Sequence, residues 1–127
     1  MNQGAVNAYI PRAIQWFEDE SNRIKIPKGF KGYIASFAPS IIQAGLLQTM
    51  LFYEGVSDKK IVLDCIEAIL EKGSLIGKVN DAFHGYYDEK LCGDKLKEAE
   101  RKLKDFEREI INASIALKLA YRLYYSK

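Results

Sequence analysis

Three lysines, Lys25, Lys28 and Lys31, recur at every third position of IKIPKGFKG, with no acid among them and Phe30 between the last two. Ammonium groups so spaced, beside glycines that let a backbone come close, suit contact with the phosphates of a nucleic acid. A solvated lysine-rich loop would satisfy the same pattern. Lys118 and Arg122 form a second group, four residues apart and the only charges in IINASIALKLAYRLYY. At that spacing they share one helical face. Bases snorkelling at a helix rim are the competing reading. Neither group carries the side chains that read base edges, so both would sense charge and shape.

Catalytic chemistry has little material. His84 is the only histidine and stands beside Gly85; a structural surface role accounts for it better than general-base work. HExxH, paired CxxC and phosphate-cradling glycine loops are all missing from the string. The carboxylates are interleaved with Lys and Arg, the pattern of a solvated face. No catalytic residue, metal, cofactor or small-molecule substrate is therefore expected. Cys65 and Cys92 are not spaced as a metal or redox pair and are expected to be reduced, apolar and buried. The start MNQGAVNAYIPR has no basic, apolar and cleavage-site sequence of a signal, so a cytoplasmic location is expected.

The elements that must position these residues follow from periodicity. At 127 residues, 48% hydrophobic and 28% charged, the chain has the size and composition of one folded domain, and a net charge of +2 makes any basic site a local one. No alternating strand pattern appears, and residues 1–127 read as a single all-α bundle. Tyr9, Ala13, Trp16 and Phe17 predict a helix over 7–22 with Pro11 in its first turn, followed by a loop over 25–30. Gly32 to Tyr53 is uncharged and long enough to cross a bilayer, but Ser36, Pro39, Ser40, Gln43, Gln48 and Thr49 scatter polar groups through it. A core segment broken at Pro39, with a helix over 40–54, is expected instead. Ile61, Val62, Cys65, Ile66, Ile69 and Leu70 predict a helix capped by Ser57 and ended by Gly73. Residues 74–92 are less periodic, and one or two short turns separated at Gly85 are expected.

The strict three-and-four spacing of Leu96, Ala99, Leu103, Phe106, Ile110, Ala113, Leu117, Ala120 and Tyr124 predicts one long C-terminal helix over 94–125. Its first half carries well-ordered pairs, Glu98 with Lys102 and Glu100 with Lys104, suited to water. Its second half is apolar on most sides and belongs in the bundle centre or against another subunit.

One string is more specific than its composition. In KGYIASFAPSIIQAGLLQTMLFYEG, the residues Lys31, Tyr33, Pro39, Ile42, Gly45, Leu46, Gln48, Thr49 and Phe52 resemble the hallmark segment of the small helical subunit of type III-B (Cmr-type) CRISPR effector complexes. ALKLAYRLYY also looks like that family's closing basic helix, although Leu119 to Arg122 keeps one Arg and loses the neighbouring base. The resemblance implies a non-catalytic subunit of an RNA-guided antiviral machine. Such subunits stack as copies along a filament and line the groove where guide and target RNA pair, while other subunits cleave. It implies RNA-backbone contact by Lys25, Lys28, Lys31, Lys118 and Arg122, and packing against neighbouring subunits by Gln43, Gly45, Gln48 and Thr49. The rival expectation is a helical protein-interaction adaptor without RNA contact, docking its apolar C-terminal helix into a partner.

Overall fold

The computed structural model describes residues 3–86 and 93–125, and every regular element among them is a helix. In chain order these are α1 (Gln3–Glu18), α2 (Glu20–Arg23), α3 (Phe30–Ala44), α4 (Leu46–Glu54), α5 (Ser57–Leu70), α6 (Leu75–Tyr86) and α7 (Asp94–Tyr125). This is the all-α bundle that the sequence predicts, organised around the long last helix.

The 32 residues of α7 span about 48 Å at 1.5 Å per residue. Ile110, Ala113, Ala116, Leu117 and Ala120 are completely buried, so the apolar half forms the bundle centre. Alanines on that stripe let α1 lie close along it, and α3, α5 and α6 pack around the same helix. Towards its N-terminus α7 emerges into water. There the expected pairs form, Glu98 with Lys102 at 3.5 Å and Glu100 with Lys104 at 3.0 Å. Among the described residues no helix is long and apolar enough to cross a membrane.

Several boundaries differ from the sequence reading for identifiable reasons. α1 begins at Gln3, so Pro11 lies in its interior rather than its first turn. Pro11 and Asn7 are both exposed, and water can serve the Asn7 carbonyl that the proline leaves without a donor. The helix expected to reach residue 22 breaks at Asp19, whose carboxylate accepts from the Ser21 amide at 3.0 Å and hydroxyl at 2.7 Å, starting α2. These hydrogen bonds hold the Asp19 carboxyl below its usual range.

Pro39 does not break the uncharged segment. It sits on the exposed side of α3 while Phe37 and Ile41, 0% and 2% exposed, anchor the other side. The hydroxyls of Ser36 and Ser40 donate to the carbonyls of Gly32 and Ser36, at 2.9 and 2.7 Å. The break comes at Gly45, with φ 94° and ψ 160°, backbone that only glycine adopts readily. Tyr53 returns from α4 to donate its hydroxyl to the Tyr33 carbonyl at 2.7 Å, locking the elbow between α3 and α4.

α5 begins at Ser57 itself, with Val56 in the capping position, and ends at Glu71, a left-handed residue with φ 56°, not at Gly73. Two side chains, one distant and one within α5 itself, favour this early stop. Arg12 donates to the Ile69 carbonyl at 3.0 Å, and the Glu67 carboxylate accepts the Leu75 amide at 2.6 Å, starting α6 at once. α6 then runs unbroken through Gly85, in place of the separate short turns expected for 74–92; residues 87–92 of that stretch, Cys92 among them, lie outside the described residues.

Thr49 is 3% exposed, and its hydroxyl has no hydrogen-bond partner among the described residues. A buried unpaired hydroxyl costs about 1–3 kcal/mol of desolvation. Thr49→Val keeps the shape and removes that group, so the urea midpoint should rise by the equivalent of about 1 kcal/mol. Thr49→Ser, which keeps the hydroxyl and loses a methyl, should move it the other way.

Candidate nucleic-acid interface

Lys31, Ile34 and Ala35 lie at i, i+3 and i+4 on α3, and Lys118, Tyr121 and Arg122 repeat that spacing on α7. Each set is one stripe of its helix. The packing of α3 against α7 turns the two stripes towards each other, and these six residues line a cleft of ≈ 100 Å³. Lys31, the last of the first basic group, thus meets the second group, far from it in sequence, at one place.

The cleft floor is apolar. Ile34 is buried, and Tyr121 is held by Phe30 at 5.7 Å between ring centroids, Phe17 at 5.8 Å and Tyr125 at 4.7 Å. Lys31 and Arg122 are exposed and Lys118 is half-buried. None of the three forms a salt bridge among the described residues, whereas Lys60, Lys72, Lys102 and Lys104 each pair with a glutamate. Three cations held together without an acid repel one another, and an anion placed among them relieves that repulsion.

The other two lysines of the sequence motif are placed differently. Lys25 is exposed, and its field reaches the carboxylates of Asp19 and Asp64, so its surroundings are acidic. Asp64 is half-buried, and burial pushes its carboxyl above the usual range against the opposing pull of Lys60 and Lys25. Lys28 is exposed in the turn before α3 and does not line the cleft.

At the elbow, Gln43, Gly45 and Gln48 face outward, whereas Thr49 points into the core. Large apolar side chains stand out of the same region: Ile42 is 78% exposed, Phe52 57% and Leu51 56%. Lys59 adds a feature that sequence reasoning missed. Its Nζ lies 4.0 Å from the centroid of the Phe52 ring and 5.5 Å from those of Tyr33 and Tyr53. Nothing in a helix-exposed lysine announces such a cation–π arrangement. Arg23 was likewise unsignalled: it donates to the Phe17 and Glu18 carbonyls at 3.0 Å and to the Tyr124 hydroxyl at 2.9 Å, tying the end of α1 to the end of α7.

Other places offer less chemistry. A depression of ≈ 360 Å³ between α6 and α7 mixes acids and bases on its walls, with Glu98 paired to Lys102. Cys65 is fully buried, and burial pushes its thiol well above the usual value, which makes it an inert core residue. His84 is exposed on α6, and among the described residues no group of three His, Cys, Asp or Glu could hold a metal ion. Family models, curated proteins and solved structures, each compared with this chain, returned no match.

Proposed function

We propose that the chain is a non-catalytic, RNA-positioning subunit, of the kind found as the small helical subunit of type III-B effector complexes, acting in antiviral defence. The observation that carries this reading is the meeting of Lys31 with Lys118 and Arg122 in one acid-free cleft. Such a cleft suits sequence-independent contact with the sugar-phosphate backbone of guide or target RNA. The resemblance of the segment from Lys31 to Phe52 supplies the family, and the outward Gln43, Gly45 and Gln48, with exposed Ile42, Leu51 and Phe52, supply a surface for neighbouring subunits or further copies of the chain.

The adaptor reading has one observation in its favour, that same apolar elbow. The C-terminal helix offers it less, because the apolar half of α7 is spent inside its own bundle.

Charge reversal distinguishes the two. Lys31→Glu combined with Lys118→Glu should weaken RNA binding about tenfold or more at low salt. It should also flatten the dependence of log K on log salt by about 0.7 for each single-strand phosphate that the protein no longer neutralises. Lys25→Glu, outside the cleft, should change neither. Fluorescence anisotropy over a salt series reads both quantities. An unchanged slope in the double variant overturns the RNA reading, and absence of RNA binding at every salt, alone or with complex partners, favours the adaptor.

A further inference from the structure

A ring of cations alone would accept any polyanion; the interior of the cleft is more selective. Resting on the RNA reading above, we infer that the cleft takes one unstacked base of single-stranded RNA, with the phosphates on either side held by Lys31, Lys118 and Arg122. Between those charges lie Ile34 and Ala35, which give a phosphate nothing, and Tyr121, whose ring offers a planar base an apolar face. Tyr121 is already fixed by Phe17, Phe30 and Tyr125, so little side-chain freedom is lost when a base settles against the wall it helps to form.

Size points the same way. The ≈ 100 Å³ of the cleft lies below the roughly 300–1,000 Å³ of clefts that enclose drug-sized ligands, and it leaves room for one base rather than a run of them. In a duplex the base faces are stacked and cannot enter; a single strand can present one. The cleft therefore favours single strands.

The test is anisotropy with the full chain and labelled RNA of about 12 nucleotides, a length within the site sizes of single-strand binders. Three probes are compared: the single strand, the same sequence as a duplex, and a single strand of abasic nucleotides. The wild-type chain should bind the single strand about fivefold to a hundredfold more tightly than the abasic strand, the range expected for one base-stacking contact. Ala35→Trp, at an exposed position, fills the cleft without altering charge. It should bring the single strand down to the abasic level. Equal, salt-sensitive binding of all three probes by the wild-type chain overturns the base-binding inference and leaves the backbone-contact reading standing. Failure to bind any probe at any salt overturns both. The wild-type comparison between normal and abasic strands decides the matter even if the tryptophan variant does not fold.

Discussion

Phe17→Ala is expected to lower folding stability by about 3–5 kcal/mol, measured as the shift in urea midpoint followed by circular dichroism. Phe17 is 0% exposed at the end of α1, where it meets rings from three parts of the chain. Trp16 lies edge-on at 5.3 Å, Phe30 of α3 at 6.3 Å, and Tyr121, Tyr124 and Tyr125 of α7 at 5.8, 5.9 and 5.9 Å. Edge-to-face and stacked pairs of this kind add about 0.5–1.5 kcal/mol each beyond the area they bury. Collapse cannot refill the hole cheaply, because the surrounding rings belong to helices held apart by the rest of the core. Phe17→Leu, which keeps most of the volume and loses the ring geometry, should cost clearly less. Against a total of about 5–15 kcal/mol for an ordinary domain, the alanine variant should sit near the edge of folding at 37 °C. A cost under about 1 kcal/mol would show that the ring cluster is not a packed unit. The cluster also backs Tyr121, so under the proposed RNA-positioning function RNA affinity should fall alongside stability.

The second large effect concerns two glycines in the same uncharged segment. Gly45→Ala should destabilise by about 1–3 kcal/mol, the cost of forcing a side chain into sparsely allowed backbone. A Cβ at Gly45 meets nothing within 4 Å, so the whole penalty comes from φ 94° and none from a clash. Gly32→Ala also meets nothing within 4 Å but lies inside α3, and it should stabilise by about 0.5–1 kcal/mol. Chemical denaturation of the pair tests the elbow directly. A Gly45→Ala change that failed to destabilise would mean that α3 and α4 do not meet at a left-handed glycine.

The fold was legible wherever a long apolar stripe met few interruptions. α7 was readable from its strict three-and-four pattern, and α5 from Val62, Cys65, Ile66 and Ile69. Helix ends were less so, because side-chain partners set them: Arg12, 57 residues from Ile69, and Glu67, within α5, decide where α5 stops and α6 starts. Pro39 misled because its exposed side tolerates a missing hydrogen bond, and a propensity rule cannot know which side faces water. In the candidate site, the spacing of Lys118 and Arg122 was visible from the string, and so was the basic run ending at Lys31. That Lys31 alone of its run faces Lys118 and Arg122 depends on how α3 lies against α7. Local periodicity carries no such information.

The two halves of α7 have unequal standing in the molecule. From Asp94 to Lys102 nearly every side chain is in water, and the pairs that bind them to each other are surface pairs worth a few tenths of a kcal/mol. From Ile110 to Ala120 the same helix is the core. Its first turns can therefore fray and re-form many times over while the last turns stay closed, and amide protons along one continuous helix will leave on two different clocks. A single unfolding free energy describes the second clock alone.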